Sequence, residues 1–162
     1  MNLQSDRTES LKAARRRILL VNDDDSVRDN IYRLFENDGY QVIAAQNGVE
    51  ALTIFHTSAQ PIDLLVTDCD MPLMSGFELA QACLRRNPQV AILYISASRP
   101  DEELRTDLST GRRGFLSSPF AEDDLLAKVG YLLSPGFEDD TILARLKLQL
   151  ALHPVRAVPM SL

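Results

Sequence analysis

At 162 residues, with 45% hydrophobic and 25% charged side chains, the chain has the size and composition of one soluble globular domain with short extensions. It contains no apolar run near the roughly 18 residues of a membrane span and no signal-peptide core, and Cys69 and Cys83 lack metal spacing, so a reducing cytoplasm is the expected setting. The net charge of −6 is unevenly spread: residues 1–17 carry five bases and two acids, residues 134–162 three of each, and residues 18–133 the remaining 18 acids and nine bases. A body this acidic argues against a nucleic-acid backbone as ligand, and the basic cluster Lys12, Arg15, Arg16 and Arg17 reads as a solvated lead-in to a strand.

In chain order, residues 1–16 read as a flexible arm. Short apolar runs then predict strands at 17–22, 40–45, 62–67, 90–95 and 113–117. Amphipathic stretches between and after them predict helices near 25–38, 48–58, 76–86, 101–110 and 121–133. Val27, Ile31, Leu34 and Phe35 recur at helical spacing in the first of these, and Asn37-Asp38-Gly39 supplies its stop. Pro61 and Pro88 end helices before strands, while Glu122-Asp123-Asp124 suits the positive end of the last helix dipole. Beyond Ser134-Pro135-Gly136 an extension, 134–162, is expected to hold one more helix over 138–152, with Ile142, Leu143, Leu146 and Leu150 as its apolar stripe.

Strict alternation of strand and helix predicts an α/β domain over 17–133, a doubly wound five-stranded parallel sheet in the order 2-1-3-4-5. In such a sheet ligands bind at the carboxyl ends of the strands, at the switch point between strands 1 and 3. Both of those strands run into acid, Asn22-Asp23-Asp24-Asp25 after the first and Asp68-Cys69-Asp70 after the third. Carboxylates converging there offer the oxygen donors that suit Mg²⁺, which takes one or two carboxylates together with water and phosphate. A carboxylate beside such a metal is also a candidate nucleophile in phosphoryl chemistry.

These residues, with Ile18-Leu-Leu-Val-Asn-Asp-Asp24, Asp68-Cys-Asp-Met-Pro72 followed by Gly76, Ile95-Ser96-Ala97 and Gly114-Phe-Leu-Ser-Ser-Pro-Phe120, resemble the receiver domain of two-component response regulators over roughly residues 17–133. The fold that resemblance implies is flavodoxin-like, here with an extra C-terminal helix. It implies that Asp68 is the phosphoacceptor, that Asp23, Asp68 and the Asp70 backbone carbonyl hold Mg²⁺, and that Asn22 and Asp24 support the metal. Ser96 matches the hydroxyl that bonds the phosphoryl group, and Phe115 the aromatic switch position, here without a phenol hydroxyl. The implied partners are a histidine kinase or histidine phosphotransfer protein and a downstream protein target, with a homodimer open. The expected function is a phosphorylation-dependent switch rather than an enzyme, its only chemistry self-phosphorylation and autodephosphorylation at Asp68. With 29 residues after position 133, no DNA-binding output domain is expected, and signalling would run through protein–protein contact.

One position departs from the pattern. Where the family carries a lysine before the Pro-Phe that follows strand 5, this chain has Ser118, 22 residues after Ser96, and residues 18–133 contain a single lysine, Lys128, far from that strand end. Arg99, on the loop after Ser96, is the candidate for a compensating charge. The substitution keeps a second class open, a degenerate receiver acting as a non-phosphorylated interaction module. A third, an aspartate-nucleophile phosphohydrolase built on Asp68-x-Asp70, is disfavoured because Pro72 stands where a Thr is expected and the chain has no room for a cap domain. His56 and His153 are read as non-catalytic.

Overall fold

The computed structural model describes residues 15–135. It places β1 at Arg17–Val21, α1 at Asp25–Asn37, β2 at Gln41–Ala45, α2 at Gly48–Thr57 and β3 at Leu64–Asp68. There follow α3 at Gly76–Arg86, β4 at Ala91–Ser96, α4 at Glu102–Leu108, β5 at Arg113–Ser117 and α5 at Glu122–Leu132. The five strands form one sheet in the order β2-β1-β3-β4-β5, and every pairing is parallel. The doubly wound architecture expected from the sequence is present. The expected arm and the C-terminal helix with Ile142, Leu143, Leu146 and Leu150 lie outside the described residues.

Side chains of successive strand residues point to opposite faces, which divides the core in two. Ile18, Leu20, Leu64, Val66 and Leu93 pack with Ile31 and Phe35 of α1 and with Leu125, Val129 and Leu132 of α5. Leu19, Val21, Leu65, Ile92 and Tyr94 pack on the other face, against Ala51 and Phe55 of α2, Leu79 and Cys83 of α3 and Leu104 of α4. Burial of both faces explains why the strands read as unbroken apolar runs.

Local signals start the helices where capping chemistry puts them. Asp24, Asn47, Ser75 and Asp101 each accept a hydrogen bond from an N–H of the first turn that follows, and Ser75 forms a reciprocal capping box with Glu78. Three details differ from the sequence reading. The β3 ladder registers from Leu64 rather than Ile62; just before it, Asp63 donates its N–H to the Arg17 carbonyl at 2.9 Å, accepts the Ala91 N–H on its own carbonyl at 3.0 Å, and takes the Arg17 N–H on its carboxylate at 2.7 Å. Helix α4 ends at Leu108, where the Ser109 and Thr110 hydroxyls bond back to the carbonyls of Thr106 and Asp107 and close the chain into a turn. Val27, in the first turn of α1, is 39% exposed although it shares the stripe of Ile31 and Phe35.

Candidate functional site

The carboxyl ends of β1 and β3 are adjacent, with Val21 opposite Thr67, and Asp68 is in turn opposite Ile95 of β4. Asp68 therefore closes β3 directly beside the turn that carries Asn22, Asp23 and Asp24, with Ser96 at the end of the next strand. The Asp70 N–H donates to Asp68 Oδ1 at 3.1 Å, folding the loop back toward the Asp68 carboxylate. Burial pushes the Asp68 carboxyl above its usual range, and the nearby negative charges of Asp23 and Asp70 push it further, against the partial relief of N–H bonds from Asp70 and Cys69. The charges of Asp23 and Asp70 thus bear directly on the Asp68 carboxyl.

Gly76 makes this loop possible. Its N–H donates to the Cys69 carbonyl at 3.1 Å, and a Cβ there would lie 2.2 Å from the Asp68 carbonyl oxygen, so only glycine lets α3 start this close to the end of β3. Between them Leu73 takes a left-handed conformation, φ 71°, and stands 95% exposed.

The structure distributes the remaining site residues as follows. Asn22 is buried, and its Oδ1 accepts the Asp24 N–H at 2.9 Å, shaping the turn that presents Asp23. Asp24 Oδ1 accepts the Val27 N–H at 3.0 Å, so its carboxylate caps α1. Ser96 is buried, and Ser118 sits against it, donating its N–H to the Ser96 carbonyl at 2.9 Å, with a cis peptide to Pro119. Phe115 is half-buried at the edge of the second core, opposite Tyr94. Arg99 is exposed on the loop after β4. His56 is exposed on α2, and the thiols of Cys69 and Cys83, each pushed up to about 12 chiefly by burial, stay protonated at neutral pH.

Two features were not read from the sequence. The Asp70 side chain, considered only for its backbone carbonyl, accepts the Ser96 hydroxyl at 2.9 Å on Oδ2. The signal for it was the expected adjacency of strands 3 and 4, which brings Asp-x-Asp next to a strand-ending serine. Away from the site, Asp107 of α4 accepts the Tyr94 hydroxyl at 2.8 Å and the Gln81 amide at 3.2 Å, with the Arg113 Nε 3.4 Å from the same carboxylate. No spacing pattern in the sequence announces that cluster.

A family model for the response regulator receiver domain matches residues 18–130. The chain belongs to the response regulator receiver family. The response regulator MprA of Mycobacterium avium is 37% identical over 117 residues, covering 72% of this chain and 50% of that protein. The chain therefore spans about half the length of the curated relatives it matches. Among solved structures, the chemotaxis protein CheY4 of Vibrio cholerae aligns with a TM-score of 0.67 at 28% identity, covering 74% of this chain and all of that one. The response regulator TrrA of Thermotoga maritima, solved in complex with Mg(2+)-BeF, aligns with a TM-score of 0.62 at 31% identity, covering 73% of this chain and 99% of that chain. Receiver domains are signalling modules of two-component systems rather than classical enzymes, and this receiver has the family's five-stranded parallel fold. Among the described residues no helix is long and apolar enough to cross a membrane.

Proposed function

We propose that this receiver takes a phosphoryl group on Asp68 from a phosphohistidine of a histidine kinase or phosphotransfer protein, and passes the signal to a downstream protein by a change in its surface. The observation that supports this reading best is the electrostatic state of Asp68: a half-buried carboxylate at a strand end, with Asp23 and Asp70 close enough to raise its proton affinity. In the transfer an Asp68 oxygen attacks phosphorus, the donor's P–N bond breaks as the O–P bond forms, and the released imidazole nitrogen takes up a proton.

The residues fit a divalent cation. Asp23, Asp68 and the Asp70 carbonyl would hold Mg²⁺, with Asn22 and Asp24 in support through the turn they build. Asp23 lies near enough for its charge to act on the Asp68 carboxyl, and two carboxylates with a carbonyl suit an ion that keeps several waters. When bound, the ion neutralises charge on the acceptor and on the incoming group. Ser96 supplies a hydroxyl for a phosphoryl oxygen, and Phe115 responds by packing alone because it has no hydroxyl to donate. Ser118 offers no charge at the lysine position, so Arg99, exposed on the neighbouring loop, is the side chain available to approach the phosphoryl group.

Incubation with acetyl phosphate tests this directly. A hydroxylamine-sensitive label that requires Mg²⁺ and disappears in Asp68→Asn is expected, and a label that survives Asp68→Asn would refute the assignment. Ser118 favours one second reading, a receiver that binds its partners without being phosphorylated. Absence of label at saturating Mg²⁺, together with retained partner binding, would select it.

A further inference from the structure

The Ser96 hydroxyl is already committed in this structure. A hydroxyl has one proton to donate, and Ser96 donates its proton to Asp70 Oδ2 at 2.9 Å while accepting the Ser98 N–H at 3.0 Å. Ser96 itself is 4% exposed, so little water reaches its hydroxyl. The Asp70 backbone N–H at the same time holds Asp68 Oδ1. One residue therefore grips the acceptor with its main chain and the serine with its side chain.

We propose that the Asp70 side chain is a positioning residue that gates phosphoryl acceptance: its carboxylate must release the Ser96 hydroxyl before Ser96 can serve a phosphoryl group on Asp68. This rests on the reading of Asp68 as phosphoacceptor. The single hydroxyl proton cannot serve both oxygens, and the bond to the Asp70 carboxylate is charge-assisted, so giving it up offsets part of what a phosphoryl group gains from Ser96. Asp70 is exposed, which leaves its side chain room to swing into solvent when displaced. Its negative charge also opposes the incoming anion, and Ser118 provides nothing to offset it. The two effects act in the same direction and separate by mutation: Asp70→Asn removes the charge and keeps an acceptor for Ser96, whereas Asp70→Ala removes both.

The test is beryllofluoride binding to the full chain by calorimetry, with Mg²⁺ saturating for each variant, in wild type, Asp70→Asn, Asp70→Ala, Ser96→Ala and the Ser96→Ala/Asp70→Ala double variant. Asp70→Ala should bind about tenfold more tightly than wild type, the scale of one charge-assisted bond lost from the competing state, with Asp70→Asn between them. In the Ser96→Ala background the gain from Asp70→Ala should shrink severalfold, because the competing bond is already gone. In the free protein the Ser98 amide resonance should move in Asp70→Ala and stay near its wild-type position in Asp70→Asn. Equal gains in both serine backgrounds would overturn the gate and leave a pure charge effect. Wild type that binds beryllofluoride no more weakly than Asp70→Ala would overturn the gate and leave Asp68 as acceptor. Binding by neither would remove both readings, and binding by Asp70→Ala alone would support both.

Discussion

Replacing Asp107 by alanine removes a carboxylate that three other elements share. It accepts the Tyr94 hydroxyl from β4 and the Gln81 amide from α3, and it lies 3.4 Å from the Arg113 Nε of β5, a charge contact without hydrogen-bond geometry. Tyr94 is wholly buried, and the Asp107 and Arg113 side chains are each 10% exposed. Burial and the Asp107 bond raise the Tyr94 phenol well above its usual range, so it remains a donor at any physiological pH. Breaking a buried pair by removing one partner costs about 3–5 kcal/mol, of which a stranded hydroxyl such as that of Tyr94 accounts for about 1–3. Two local terms act the other way. Alanine is the better helix former by about 0.5 kcal/mol, and an acidic side chain in the last turn of α4 opposes the helix dipole by about 0.3–1 kcal/mol. The net expected loss is about 2–4 kcal/mol, a large part of the roughly 5–15 kcal/mol that holds a domain together. Urea unfolding at neutral pH should show it as a lower midpoint with an unchanged slope. Tyr94→Phe, which strands no charge, should lose only about 1 kcal/mol. A loss below about 1 kcal/mol in Asp107→Ala, within the range of ordinary surface changes, would refute the argument that this carboxylate ties α3, α4 and β5 to the sheet.

The remaining predictions concern the site. Because the folded protein binds a proton at Asp68 more tightly than the unfolded chain does, the stabilisation from protonation is present below the ordinary carboxylate range and lost as pH rises through the folded value. Asp68→Asn should therefore melt higher than wild type near neutral pH without metal, and the difference should vanish toward about pH 4, where the unfolded carboxyl also protonates; a pH-independent difference would contradict the shift. Ser118→Lys should raise the rate of Asp68 labelling by acetyl phosphate or lower its Mg²⁺ requirement, and no change in either would mean that position 118 does not face the phosphoryl group. Gly76→Ala should cost about 1–3 kcal/mol by overpacking against the Asp68 carbonyl. Gly130→Ala, where nothing lies within 4 Å of the new Cβ, should instead gain about 0.5–1 kcal/mol in α5; equal thermal shifts for the two would show that the approach of Gly76 to β3 is not tight.

Much of this receiver is legible along the chain because its signals are local. Alternating apolar runs and helical stripes gave the ten elements and, with the rules for parallel sheets, their order. Asp24, Asn47, Ser75 and Asp101 start helices through bonds to residues three positions on, which lie within reach of sequence reading. Acid at the ends of two apolar strands marked Asp23 and Asp68, since the parallel sheet brings those ends to one edge. Other features depend on residues far apart in sequence whose meeting only the tertiary structure decides. The Asp63 carboxylate at the start of β3 accepts the N–H of Arg17, 46 positions earlier. Ser96 is bound to Asp70 across 26 residues, and Tyr94 to Asp107 across 13, with Arg113 joining from a third segment. A side chain's hydrogen-bond partner is set by the register and separation of packed elements, and small shifts in either would pair Asp70 or Asp107 with something else. Sequence therefore placed the carboxylates at the active edge, while three-dimensional packing determined that one of them already holds the serine.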